Sequence, residues 1–140
     1  MQQPTLSFGR SVGMRLVTLV FAVLPALLLA AVALAHRSDI LLKSEPAAGA
    51  VVQQSPARVV VWFSTELDTG PSRLQVFATD KRRVDSGDGG VDLHDPDHAS
   101  LRVSLPALPD GAYTVRWRGA VSEDGDIVEG TFTFTVSGER

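Results

Sequence analysis

Beyond residue 35 the apolar side chains of this sequence recur at every second position, not at every third or fourth. Tyr113, Val115 and Trp117 alternate with Thr114, Arg116 and Arg118, and Leu101, Val103 and Leu105 alternate in the same way. Phe132, Phe134 and Val136 are separated by threonines. A period of two puts successive side chains on opposite faces of a strand, so each segment has one face for a core and one for water. No stretch in this region holds a helical period over ten residues. The alternation confines the segment to all-β folds.

Turn chemistry divides the pattern into short strands. Ile40 to Lys43 reads as a first strand, closed by Ser44-Glu45-Pro46 and the turn residues Pro46-Ala47-Ala48-Gly49. Arg58 to Ser64 is a nearly continuous β-branched and aromatic run, as expected of a central strand. Arg73 to Thr79 alternates through Leu74, Val76 and Ala78 and leads to a hairpin tip at Asp80-Lys81, with a return arm over Arg82 to Asp85. Ser86 to Gly90 reads as a loop, and Pro109-Asp110-Gly111 as a turn before the Tyr113 strand. Ser122 to Gly130 reads as a loop rich in carboxylates, followed by a last strand over Thr131 to Val136. About seven strands at this spacing predict an all-β sandwich.

The first 35 residues differ in kind. Arg10 and Arg15 precede an apolar run from Leu16 to Leu34, and small residues stand at Ala33 and Ala35. This order of charged region, apolar region and A-x-A site is that of a secretory signal peptide, expected to be helical in its apolar part. An uncleaved membrane anchor is the other reading, because the run is nearly long enough to span a bilayer. Pro25 and the placement of the A-x-A site favour cleavage. The expected division is residues 1–35 as leader and residues 36–140 as one sandwich domain, exported to the periplasm or held outside the membrane by the leader.

Without the leader the chain keeps 11 Lys and Arg against 16 Asp and Glu, a net charge of −5, since Arg10 and Arg15 are removed. An acidic exported domain is a poor match for nucleic acid and a good one for a cation. There is no cysteine, and Met1 and Met14 both lie in the leader, so thiolate and thioether ligands are absent from the remainder. Any metal would have to be held by nitrogen and oxygen.

Cleavage after Ala35 would make His36 the first residue. Its imidazole and a free α-amino group could then close a chelate ring on one metal. The α-amino pKa lies about 2.5 units below that of lysine, so freeing it near neutral pH costs roughly 3.5 kcal/mol less. Nitrogen ligands of this kind suit Cu(II). Asp124 and Asp126 stand two apart across Gly125 and could be aimed by one turn at a single cation, although Asp-Gly is also simply a favoured turn dipeptide. His94 and His98 flank Asp95-Pro96-Asp97, where Pro96 argues for an exposed loop. The trio Lys81-Arg82-Arg83 reads as a solvated hairpin edge.

The ordered set of motifs resembles the CopC family of periplasmic copper-binding proteins, which implies an Ig-like Greek-key β-sandwich. The set comprises His36, Ser44-x-Pro46-Ala47-x-Gly49-Ala50, Pro56-x-x-Val59 leading to Phe63-Ser64, and Leu105-Pro106-x-Leu108. It continues with Gly111-x-Tyr113-Thr114-Val115-x-Trp117-Arg118, Val121-Ser122-x-Asp124-Gly125 and Gly130-x-Phe132-x-Phe134-x-Val136. The resemblance implies a Cu(II) site built from the amine and imidazole of His36 together with Asp124. Asp126 stands where the family pattern has histidine. It also implies one Cu(II) per mature chain, a monomer, and traffic with a separate membrane copper importer.

The expected function is therefore an exported Cu(II)-binding protein that buffers or delivers copper, and not an enzyme. The alternative is a metal-free Ig-like interaction module that has lost the site, which Asp126 motivates. A histidine-brace copper enzyme would need a second placed imidazole, and no nucleophile-elbow pattern surrounds any serine.

Overall fold

A computed structural model describes residues 40–138. His36 and the leader lie outside the described residues. The described residues form eight strands: β1 Leu41–Glu45, β2 Val51–Val52, β3 Arg58–Phe63, β4 Arg73–Ala78, β5 Gly90–Val91, β6 Ser100–Ser104, β7 Gly111–Ala120 and β8 Ile127–Val136. They make two four-stranded sheets, ordered β1-β3-β6-β5 and β2-β8-β7-β4. All pairings are antiparallel except β2 with β8.

The period of two sets what each sheet presents to the other. Val59, Val61 and Phe63 of β3 meet Val115 and Trp117 of β7 in one core that also takes in Leu74, Val76, Leu101, Val103, Phe134 and Val136. Phe63 and Trp117 join the sheets edge to face, with ring centroids 5.2 Å apart. Tyr113 stacks on Phe134 at 5.5 Å and donates its hydroxyl to the Pro109 carbonyl at 2.6 Å. That bond lets a buried tyrosine satisfy its polar atom while its ring serves the core. Beyond the exposed Arg58 the outer face of β3 is apolar as well: Val60 is nearly covered, and Trp62 lies beneath the Lys43 ammonium at 4.6 Å.

Several boundaries differ from the sequence reading. The first strand is Leu41–Glu45, because the pairing of Glu45 with Val60 carries it up to Pro46, and a bulge falls between Leu41 and Lys43. β2 and β5 are two-residue strands too short for periodicity to reveal. Gly90, read as part of a loop, opens β5. Its neighbour Gly89 passes so close to β4 that a Cβ there would stand 1.8 Å from the Leu74 carbonyl oxygen. The last strand begins at Ile127, since Ile127 through Gly130 continue the ladder against Ala120 through Trp117.

The arm expected over Arg82 to Asp85 is no regular strand. Lys81 adopts φ 66° at the tip, and Val84 N–H reaches the Val76 carbonyl at 2.9 Å. The next ladder position is taken by a side chain: the Asp85 carboxylate accepts the Val76 N–H at 2.9 Å and the Gly87 N–H at 2.9 Å, and Arg83 grips it at 2.8 Å. Burial alone would raise the Asp85 pKa, but the Arg83 hydrogen bond and the two backbone donors outweigh it and hold the group below the usual aspartate range.

Two stability outcomes are expected. A depressed folded-state pKa stabilises above the unfolded value, about 3.9, and that contribution is lost as pH falls through the folded value. Asp85→Ala should cost about 2–3 kcal/mol near neutral pH. Urea denaturation across pH should show the difference between wild type and variant shrinking below about pH 4. Gly130→Ala places a Cβ 2.7 Å from the Trp117 ring. It should cost about 1–3 kcal/mol through overpacking, measured by thermal unfolding.

Candidate metal centre

Both sheets turn over at one end of the sandwich, where three loops leave the strands: residues 64–72 after β3, 92–99 after β5 and 121–126 between β7 and β8. Backbone bonds tie them into one surface. Leu67 N–H donates to the His98 carbonyl at 3.0 Å, and Leu67 bridges to Val121. Ser122 N–H donates to the Glu66 carbonyl at 3.0 Å, and the Ser122 hydroxyl bonds the Asp68 carboxylate at 3.1 Å. Both backbone groups of Ala120 are used, by Asp68 N–H at 2.8 Å and by the fully buried Ser72 hydroxyl at 3.0 Å.

The 121–126 turn is formed by its own residues. Val121 N–H donates to the Asp126 carbonyl at 2.9 Å and Gly125 N–H to the Val121 carbonyl at 2.8 Å. Gly125 sits at φ 73°, in the left-handed region that glycine enters without a Cβ penalty. The Asp124 carboxylate accepts the Asp126 N–H at 2.9 Å, an Asx turn. Asp124 and Asp126 therefore lie on one exposed turn.

Loop 92–99 reaches this end too, but its histidines do other work. His94 is exposed, with Nδ1 3.3 Å from Asp92. His98 adopts φ 46° and gives its carbonyl to Leu67. Asp95 builds the loop, accepting from the Ser100 hydroxyl at 2.7 Å and from Asp97 and Ala99 N–H. The Ser100 bond, opposed by slight burial, and then the backbone donors keep its pKa below the ordinary value.

Among the described residues no three His, Cys, Asp or Glu side chains converge to hold a metal. What the end does have is a field. The three loops carry Glu66, Asp68, Asp92, Asp95, Asp97, Glu123, Asp124 and Asp126 and no lysine or arginine. Glu66 and Asp68 went unnoticed in the sequence because they join the surface through long-range contacts, the Leu67 to Val121 bridge and the bonds to Ser122 and Ala120.

The architecture is that of a two-sheet β-sandwich with an acidic loop end. A family model for the CopC domain matches residues 41–137, and the chain belongs to the CopC family. It is 28% identical over 97 residues to the copper transport protein CutJ of Bacillus subtilis (strain 168), covering 69% of this chain and 17% of that protein. The chain thus spans less than a fifth of that relative's length. Among solved structures it resembles CopC from Methylosinus trichosporium OB3b, with TM-score 0.61 and 27% identity over 72% of this chain and 95% of that one. It also resembles PcoC, a methionine-rich copper resistance protein from Escherichia coli, with TM-score 0.59 and 29% identity over 70% and 97% of the two chains. No methionine follows residue 14 in the present sequence.

The Asx turn separates the folding role of Asp124 from its charge. Asp124→Asn keeps a carbonyl oxygen for the Asp126 N–H and should leave stability within about 0.5 kcal/mol, whereas Asp124→Ala should lose about 1 kcal/mol. Paired thermal melts of the metal-free variants measure this.

Proposed function

We propose that this chain is an exported Cu(II)-binding protein that buffers or delivers copper outside the cytoplasmic membrane. One ion would bind per mature chain, through the amine and imidazole of His36 with Asp124 and Asp126. Copper is cargo in this reading, and a separate membrane importer is its natural recipient. Family membership supports copper handling without catalysis.

The observation that supports this ligand set is the end of the sandwich at which β1 starts. The Ile40 carbonyl accepts the Ser64 N–H at 2.8 Å, two residues before Glu66, whose carbonyl holds Ser122. The chain therefore enters β1 at the same end as the Asp124 turn. β1 lies at one edge of its sheet, and the early part of β8 extends beyond its two-residue pairing with β2 in the other. Carboxylates in all three loops would raise the local concentration of a cation.

Two nitrogens and two carboxylate oxygens suit a tetragonal Cu(II) site. The second reading, a metal-free interaction module, is motivated by Asp126, which stands where the family pattern has histidine. The two readings diverge on whether cleavage at Ala35 completes the site.

Intact mass of protein recovered from the exported fraction should correspond to a chain beginning at His36. Titration of that protein with Cu(II) against a competing chelator should give one ion per chain, and no stoichiometric complex would favour the metal-free module. An extra alanine before His36 should weaken binding by about tenfold or more, each decade being about 1.4 kcal/mol. Affinity should also fall with decreasing pH from about 8 to 6, as protons compete first for the amine and then for the imidazole.

A further inference from the structure

The outer face of the β2-β8-β7-β4 sheet carries an arrangement that the fold does not require. With Leu74, Val76, Val115 and Trp117 directed to the core, Arg73 on β4 and Arg116 and Arg118 on β7 are directed to solvent, and all three are exposed. Arg73 pairs in register with Arg118, and Gln75 with Arg116, so two arginine positions stand directly across from one another and the third is diagonal. Like charges at directly opposed positions destabilise a sheet. Glu129 lies across from Arg118 on β8, yet none of the three arginines enters an ion pair formed among the described residues.

The groups are also held in place. Arg73 Nη1 donates to the carbonyls of Ser72, at 2.7 Å, and of Gly70. Arg116 lies over the Phe77 ring with its guanidinium carbon 5.2 Å from the centroid. Such restraint lowers the entropy lost when a partner is bound. All three are arginine, whose planar fork matches a carboxylate with two parallel hydrogen bonds, and no lysine shares the face.

We propose that this face docks an acidic segment of a partner protein, whose clustered carboxylates seat on Arg73, Arg116 and Arg118. A bilayer is the poorer complement. Its charged plane would extend over the loop end beside Arg73 and Arg118, where the carboxylates of three loops repel it, whereas a protein segment can end short of them. The docking is independent of copper and is tested on metal-free protein.

Hexaglutamate serves as the probe, with inorganic phosphate and phosphatidylglycerol vesicles as comparisons, and backbone amide shifts as the readout at low salt. The peptide should move amides of residues 73–77 and 114–118, high salt should reverse the shifts, and phosphate or vesicles should not reproduce them. Arg73→Thr/Arg118→Thr should weaken the peptide about fivefold or more, by removing two of three charge-assisted contacts. Arg118→Thr should melt at the same temperature as wild type or higher, because it relieves a like-charge pair. Equal peptide binding by the double variant, a response to vesicles alone, or a clearly lower melting temperature for Arg118→Thr would each overturn the proposal. So would shifts of these amides on raising protein concentration without peptide, which would assign the face to a second copy of this chain.

Discussion

Trp117 is the residue on which both sheets and the loop end depend. Its indole packs edge to face on Phe63, which fixes one sheet against the other. Its far side leaves no room for a side chain at Gly130. Trp117 and Gly130 are partners in the β7–β8 ladder, so this contact also fixes the register of those two strands. With period-two strands a slip of one residue would turn Phe134 and Val136 out of the core and expose the threonines' places within it. The register then determines where the ladder runs out, at Ala120 and Ile127, and hence that six residues make the turn bearing Asp124 and Asp126.

Charge is distributed by the same geometry. Strand interiors leave their polar residues on the outer faces, and there the side chains include Lys43, Arg58, Arg73, Arg102, Arg116 and Arg118 against Glu45 and Glu129. The loops at the β1 entry hold carboxylates without a single cation. The net negative charge is thus concentrated at one end and does not describe the sheet faces. A metal ion and an acidic protein segment would be drawn to different parts of one small domain, and the two attractions need not compete.

How much of this was legible in the sequence depended on whether the information was local. Alternation through Tyr113, Val115 and Trp117 or through Leu101 and Val103 is a local signal, and those strands were readable. β2 and β5 were not, because two residues carry no period, and each exists only through the strand beside it. The return arm at Arg82 to Asp85 was legible in part: it pairs back through the Phe77 to Arg83 bridge and the Val84 N–H but forms no regular strand. Hairpin chemistry at Asp80-Lys81 was correctly read, but the ladder beyond it is replaced by a carboxylate that accepts the Val76 N–H from nine residues away.

The loop end shows the same division. Asp124 and Asp126 could be paired from their spacing because Gly125 supplies the turn within the motif. Glu66 and Asp68 could not be assigned to that surface, since what brings them there is a bridge between Leu67 and Val121, 54 residues apart in the chain. The proposed ligand of greatest chemical weight, His36, would be governed by a third kind of information. Folding brings the chain at Ile40 to the correct end, but only a peptide-bond cleavage gives residue 36 its second nitrogen. Sequence, packing and processing therefore each contribute a separate part of the proposed copper site. Loss of the third would leave the first two intact: a stable sandwich whose acidic turn attracts cations without a chelate to retain them.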